Sequence, residues 1–91
     1  MAGDRRYERR VPKHDWVDVR FRETDGAEAQ LIARLRDLSK SGASLEVERP
    51  LRMATVIGFE HGGRGFKASV RYCTKTPSAF VIGVEFDDSL A

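Results

Sequence analysis

Apolar residues alternate with polar ones along most of this chain, and each alternating run breaks at a turn signal after a few residues. Val17, Val19 and Phe21 alternate with Asp18, Arg20 and Arg22. Ala29, Leu31, Ala33 and Leu35 lie on one face of a run from about Glu28 to Leu35, with Arg34 and Arg36 on the other. Ala43, Leu45 and Val47 follow, then Val56, Ile57 and Phe59 within the segment Ala54 to Glu60. Phe66, Ala68, Val70 and Tyr72 form a fifth run, and Phe80, Ile82, Val84 and Phe86 a sixth. A period of two is the signature of a strand with one wet face, and no stretch shows the helical period of 3.6.

Between the runs stand Thr24-Asp25-Gly26, the segment from Asp37 to Gly42, Arg49-Pro50, His61-Gly62-Gly63-Arg64-Gly65 and Thr76-Pro77-Ser78. Six short strands joined by such turns predict an all-β fold, a six-stranded antiparallel β-barrel. Closure removes sheet edges that would otherwise pair with other chains. The stripe Phe66, Tyr72, Phe80 and Phe86 is expected in the core. Residues 1–13 read as an extended, flexible arginine-rich arm, because Pro12 ends any helix and few apolar residues anchor it. Residues 14–91 are expected to form the barrel.

With 91 residues the chain has room for one small domain, so its core must be efficient. A lone cysteine, Cys73, leaves no internal disulfide and no multi-cysteine zinc site, and reads as structural. His14 and His61 are too few and too isolated for a metal centre. The glycine-rich segment around Gly62 and Gly63 lacks the lysine-serine/threonine ending of a phosphate-binding P-loop and reads as a hairpin. No acid, base and nucleophile stand at a recognisable spacing, so an enzyme is not expected. No apolar run approaches the length needed to cross a bilayer, and the N-terminus does not read as a secretory leader, so the expected location is cytoplasmic.

Two features remain that a barrel by itself does not need. Four arginines, Arg5, Arg6, Arg9 and Arg10, crowd into the arm, although the net charge of the chain is only +2. Such a cluster either remains solvated or holds an anion. The segment Asp37-Leu38-Ser39-Lys40-Ser41-Gly42 places a carboxylate and a hydroxyl two residues apart, ahead of a glycine. Alone it reads as a hairpin turn whose polar side chains bond nearby amides. Gly42 allows either a positive φ or a backbone approach that a Cβ would block.

Together, R-x-x-x-R at Arg6 to Arg10 and D-x-S-x-x-G at Asp37 to Gly42, in that order, resemble the PilZ domain, a family of bacterial receptors for cyclic di-GMP. The ending Ile82-Gly83-Val84-Glu85-Phe86 also resembles the family's last barrel strand. The resemblance implies that Arg6, Arg10, Asp37, Ser39 and Gly42 clasp the nucleotide between arm and barrel. The register Arg5 with Arg9 satisfies the same spelling. With Arg6 and Arg10 as the pair, Arg5 stands just ahead of the motif, a position the family associates with two intercalated ligand molecules. Tyr72 lies near a position where relatives often carry a large aromatic, although core packing is its expected duty. Many family members add a helix after the barrel, whereas here only Asp87 to Ala91 follow the last strand.

The resemblance thus implies a cyclic di-GMP receptor without a further cofactor or metal, relaying second-messenger signalling to an unidentified downstream protein. A PilZ-like adaptor working through protein contacts without nucleotide is the alternative. An oligonucleotide-binding barrel would carry its basic and aromatic residues on strand faces, whereas here the arginines gather on the arm.

Overall fold

The computed structural model describes residues 11–87, with side chains from residue 15 onward. The described residues contain β1 (Val11–Arg22), β2 (Glu28–Leu38), β3 (Gly42–Val47), β4 (Val56–His61), β5 (Arg64–Lys75) and β6 (Phe80–Phe86). They close into an antiparallel barrel in the order β1-β2-β3-β6-β5-β4, as the six alternating runs predict. Among the described residues there is no helix, and hence none long and apolar enough to cross a membrane.

The turns form for local reasons. Gly26 carries a φ of +89°, and the Ala27 amide donates to Asp25 Oδ1 at 2.9 Å, which closes the β1–β2 hairpin. Gly62 and Gly63 both have positive φ, the tight two-residue hairpin turn whose twist matches the strands it joins. The glycine-rich segment is therefore a hairpin. Among the described strands, only the β3–β4 connection joins two that are not neighbours. Its Leu51 is buried, and the Arg49 guanidinium sits over the Phe21 ring while pairing with Glu23 at 2.7 Å.

Val19, Leu35, Leu45, Ile57, Phe59, Val70 and Ile82 fill the interior. Each such side chain contributes about 1.5–3 kcal/mol relative to exposure. Phe66 stacks between Phe59 and Phe86, with ring centroids 5.1 and 4.9 Å away. Cys73 packs against this core, half-buried.

Several boundaries differ from those read off the alternation. β1 starts at Val11, so Val11, Pro12 and Lys13 belong to the barrel and not to the arm. An extended strand accommodates the fixed φ of proline, and the ladder shifts register between Pro12 and Asp15. The arm arginines Arg5, Arg6, Arg9 and Arg10 lie outside the described residues. β2 runs three residues past Leu35, so Asp37 is the penultimate residue of a strand and the turn proper is shorter. β4 begins at Val56, because Ala54 takes a left-handed φ of 72° that an extended strand cannot contain. Tyr72 is not a core residue: it is 49% exposed.

Candidate functional site

Two β-bulges decide which side chains reach the outer wall of the barrel. Along β2, Leu35 pairs with Leu45 of β3, yet the next step on β3, Ser44, pairs with Asp37. Arg36 is the extra residue. Without it Asp37 would share the inward face of Leu35, since side chains alternate with period two. The bulge turns the carboxylate outward. The same device recurs on β5, where Val70 pairs with Val84 but Tyr72 pairs with Gly83, leaving Arg71 as the extra residue. That shift moves Tyr72 out of the core.

Asp37, Ser44, Gly83 and Tyr72 consequently form one cross-strand row over β2, β3, β6 and β5. With neighbouring strands about 4.8 Å apart, the row spans roughly 14 Å of the wall. Ser44 is only 6% exposed although it faces outward. A Cβ on Gly83 would stand 2.1 Å from Tyr72 Cε2, so the missing side chain is what lets the ring lie flat on the sheet. The bulged Arg71 donates through Nε to Glu85 Oε1 at 2.6 Å and holds the edge of this surface.

Ser39 and Gly42 close the turn that follows β2. The Ser39 amide donates to the Gly42 carbonyl at 2.8 Å. The Ser39 hydroxyl accepts from the Gly42 amide and donates to its carbonyl, both at 3.2 Å. This hydroxyl therefore shapes the turn, as the hairpin reading expects. Gly42 does not use a positive φ. A Cβ there would lie 2.2 Å from the Val84 carbonyl oxygen, so its glycine is demanded by the close approach of β6. The Phe86 amide donates to Ser41 O at 2.9 Å and fastens the turn to the end of β6.

The first residues of β1 join the same neighbourhood. Val11 pairs with Leu38 and Pro12 with Asp37, so the chain enters the barrel alongside the D-x-S segment. Asp37, Ser39 and Gly42 are thus brought together with the strand that leads directly from Arg10. The positions of Arg5, Arg6 and Arg10 lie outside the described residues. Sequence reasoning left Ser44 without a role and gave Tyr72 the wrong one. Ser44 alternates with Ala43, Leu45 and Val47 as a residue of the outer face does, whereas nothing local marks the bulge at Arg71. Among the described residues no group of three His, Cys, Asp or Glu side chains is arranged to hold a metal.

The site offers a carboxylate acceptor and a flat, half-exposed aromatic ring on one wall. Arg36 and Lys40 add exposed cations at the bulge and the turn. Such a surface suits a ligand with N–H donors, a planar ring and negative charge.

No protein-family model and no curated protein matches the sequence. Solved structures do match. The PilZ domain of YcgR from Escherichia coli, solved with c-di-GMP, superposes with a TM-score of 0.60 at 17% identity, covering 86% of this chain and 76% of that one. MrkH of K. pneumonia in its apo state superposes with a TM-score of 0.62 at 17% identity, covering 96% of this chain and 44% of that one. This chain therefore spans less than half the length of MrkH. The bulged six-stranded barrel has the fold of a PilZ domain.

Proposed function

We propose that the protein is a PilZ-type receptor that binds cyclic di-GMP between its N-terminal arginines and the outer wall of the barrel at Asp37. The observation that carries this reading is the β1–β2 register, which sets Val11 beside Leu38 and Pro12 beside Asp37. Arg10 directly precedes Val11 in the sequence, so the motif's second arginine adjoins the strand that pairs with the D-x-S segment. A PilZ domain of the same fold has been solved with this ligand.

In this reading Arg6 and Arg10 supply forked donors to phosphate oxygens and to the O6/N7 edge of guanine. Asp37 accepts from guanine N–H donors, and the Tyr72 ring offers a face on which a purine stacks. Ser39 and Gly42 set the shape of the turn that presents Asp37. Arg5 extends the cation cluster toward a second, intercalated ligand molecule. The bound state is relayed to a downstream protein.

Isothermal titration with cyclic di-GMP tests the proposal, with cyclic di-AMP and GTP as controls. Saturable binding of cyclic di-GMP alone is expected. Arg6→Ala and Arg10→Ala should each weaken it by about tenfold or more, the loss of a charge-assisted contact of about 1.5–3 kcal/mol. A ligand-to-protein ratio near two would support the intercalated pair, and a ratio near one would remove the role given to Arg5. No binding by the unaltered protein would leave an adaptor that works through protein contacts.

A further inference from the structure

A second groove lies on the barrel wall where β4 meets β1 and β5. It encloses about 570 Å³ and is lined by Arg20, Arg22, Glu28, Val56, Gly58 and Lys67, among others. None of these residues belongs to the Asp37–Tyr72 row. From Gly42 the cross-strand sequence Glu85, Ser69 and Val56 leads to this region, three strand spacings or roughly 14 Å around the wall.

Gly58 is the informative residue. It occupies the interior of β4, where glycine weakens a strand and commonly marks close approach by a ligand or another backbone. The barrel itself does not require it. Its φ is not in the left-handed region, and a Cβ would meet only Arg20 Nη2 and the Phe66 carbonyl, both at an ordinary 3.8 Å. Gly58 pairs with Arg20 on one side and Lys67 on the other, so two cations with Cα atoms about 10 Å apart flank a notch that the Arg20 guanidinium already borders. Both side chains are exposed, and neither has a carboxylate partner among the described residues. Val56 adds an apolar wall that is 50% exposed, while Arg22 is already paired with Glu28 at 3.3 Å.

We infer that this groove docks an acidic peptide segment of a partner protein. Carboxylates of that segment meet Arg20 and Lys67, and an apolar side chain lies over Gly58 against Val56. A nucleic-acid backbone fits less well, because Glu28 stands at the rim and Val56 contributes apolar surface where phosphates would run. The inference concerns a surface separate from the nucleotide reading, and either can fail without the other.

The test uses the full chain, isotopically labelled, titrated with an end-capped hexapeptide of alternating glutamate and leucine. A lysine-leucine hexapeptide and a thymidine hexanucleotide serve as comparisons. Amide shifts centred on Arg20, Gly58 and Lys67 are expected with the acidic peptide only. The double variant Arg20→Ala/Lys67→Ala should weaken that binding by about tenfold or more. Gly58→Leu, which fills the notch, should abolish it while leaving the cyclic di-GMP titration unchanged. Shifts elsewhere on the barrel, unaltered binding by the double variant, or tighter binding of the hexanucleotide at the same amides would each overturn the assignment.

Discussion

The turns at opposite ends of the barrel, β2–β3 and β5–β6, are built alike. Ser39 closes on Gly42 through an amide-to-carbonyl bond and a bridging hydroxyl. Thr76 closes on Ala79 in the same way, with its amide 2.8 Å from the Ala79 carbonyl and its hydroxyl within 3.0–3.1 Å of the Ala79 amide and carbonyl. The second turn manages with alanine in the last position. The glycine of the first is therefore not a requirement of the turn. It answers the Val84 carbonyl, which approaches Gly42 so closely that any side chain would collide. Likewise the hydroxyl of the D-x-S-x-x-G motif performs a duty that the opposite turn performs with no motif around it. What sets the first turn apart is the bulge that turns Asp37 outward and the start of β1 beside it.

The largest effect expected from testing this contrast is on stability. Gly42→Ala should cost about 3 kcal/mol in chemical denaturation, because β3 and β6 must separate to admit the methyl group. Should the variant unfold like the parent, the backbone-approach account of Gly42 is wrong. Asp37→Ala should reduce cyclic di-GMP affinity roughly tenfold or more by calorimetry, the loss of a charged hydrogen-bond acceptor. Ser39→Ala and Thr76→Ala should each cost about 1 kcal/mol, and by similar amounts, since each removes the same pair of bonds. A loss of ligand affinity by Ser39→Ala in protein that is still fully folded would end the equivalence and give the hydroxyl a direct part in binding. Smallest of all, Ala79→Gly should cost about 0.5–1 kcal/mol, the entropy of a freer unfolded chain.

The alternation of Val17, Val19 and Phe21, or of Phe80, Ile82 and Val84, needs no tertiary information to be recognised as strand. A period of two leaves only one way to bury an apolar face. The glycine pair at Gly62-Gly63 and the Asp25-Gly26 turn were equally plain, because positive φ is a local property of the residue. The candidate site was legible as spelling, from the resemblance of its two motifs to those of a known family, but not as geometry. A strict alternation carries Tyr72 inward behind Val70 and would carry Asp37 inward behind Leu35. Nothing in Arg36 or Arg71 announces that each is an extra residue.

By itself, the order of residues determined the strands, most of their turns and the closed sheet, since these follow from backbone preference and from burying one face of each run. Only the assembled barrel decided which side Asp37 and Tyr72 occupy and why positions 42 and 83 carry no side chain. Those outcomes depend on how neighbouring strands slip past one another and on how near Val84 and the Tyr72 ring come to the glycines. Such slips and approaches are set between segments distant in the chain, where local periodicity carries no information.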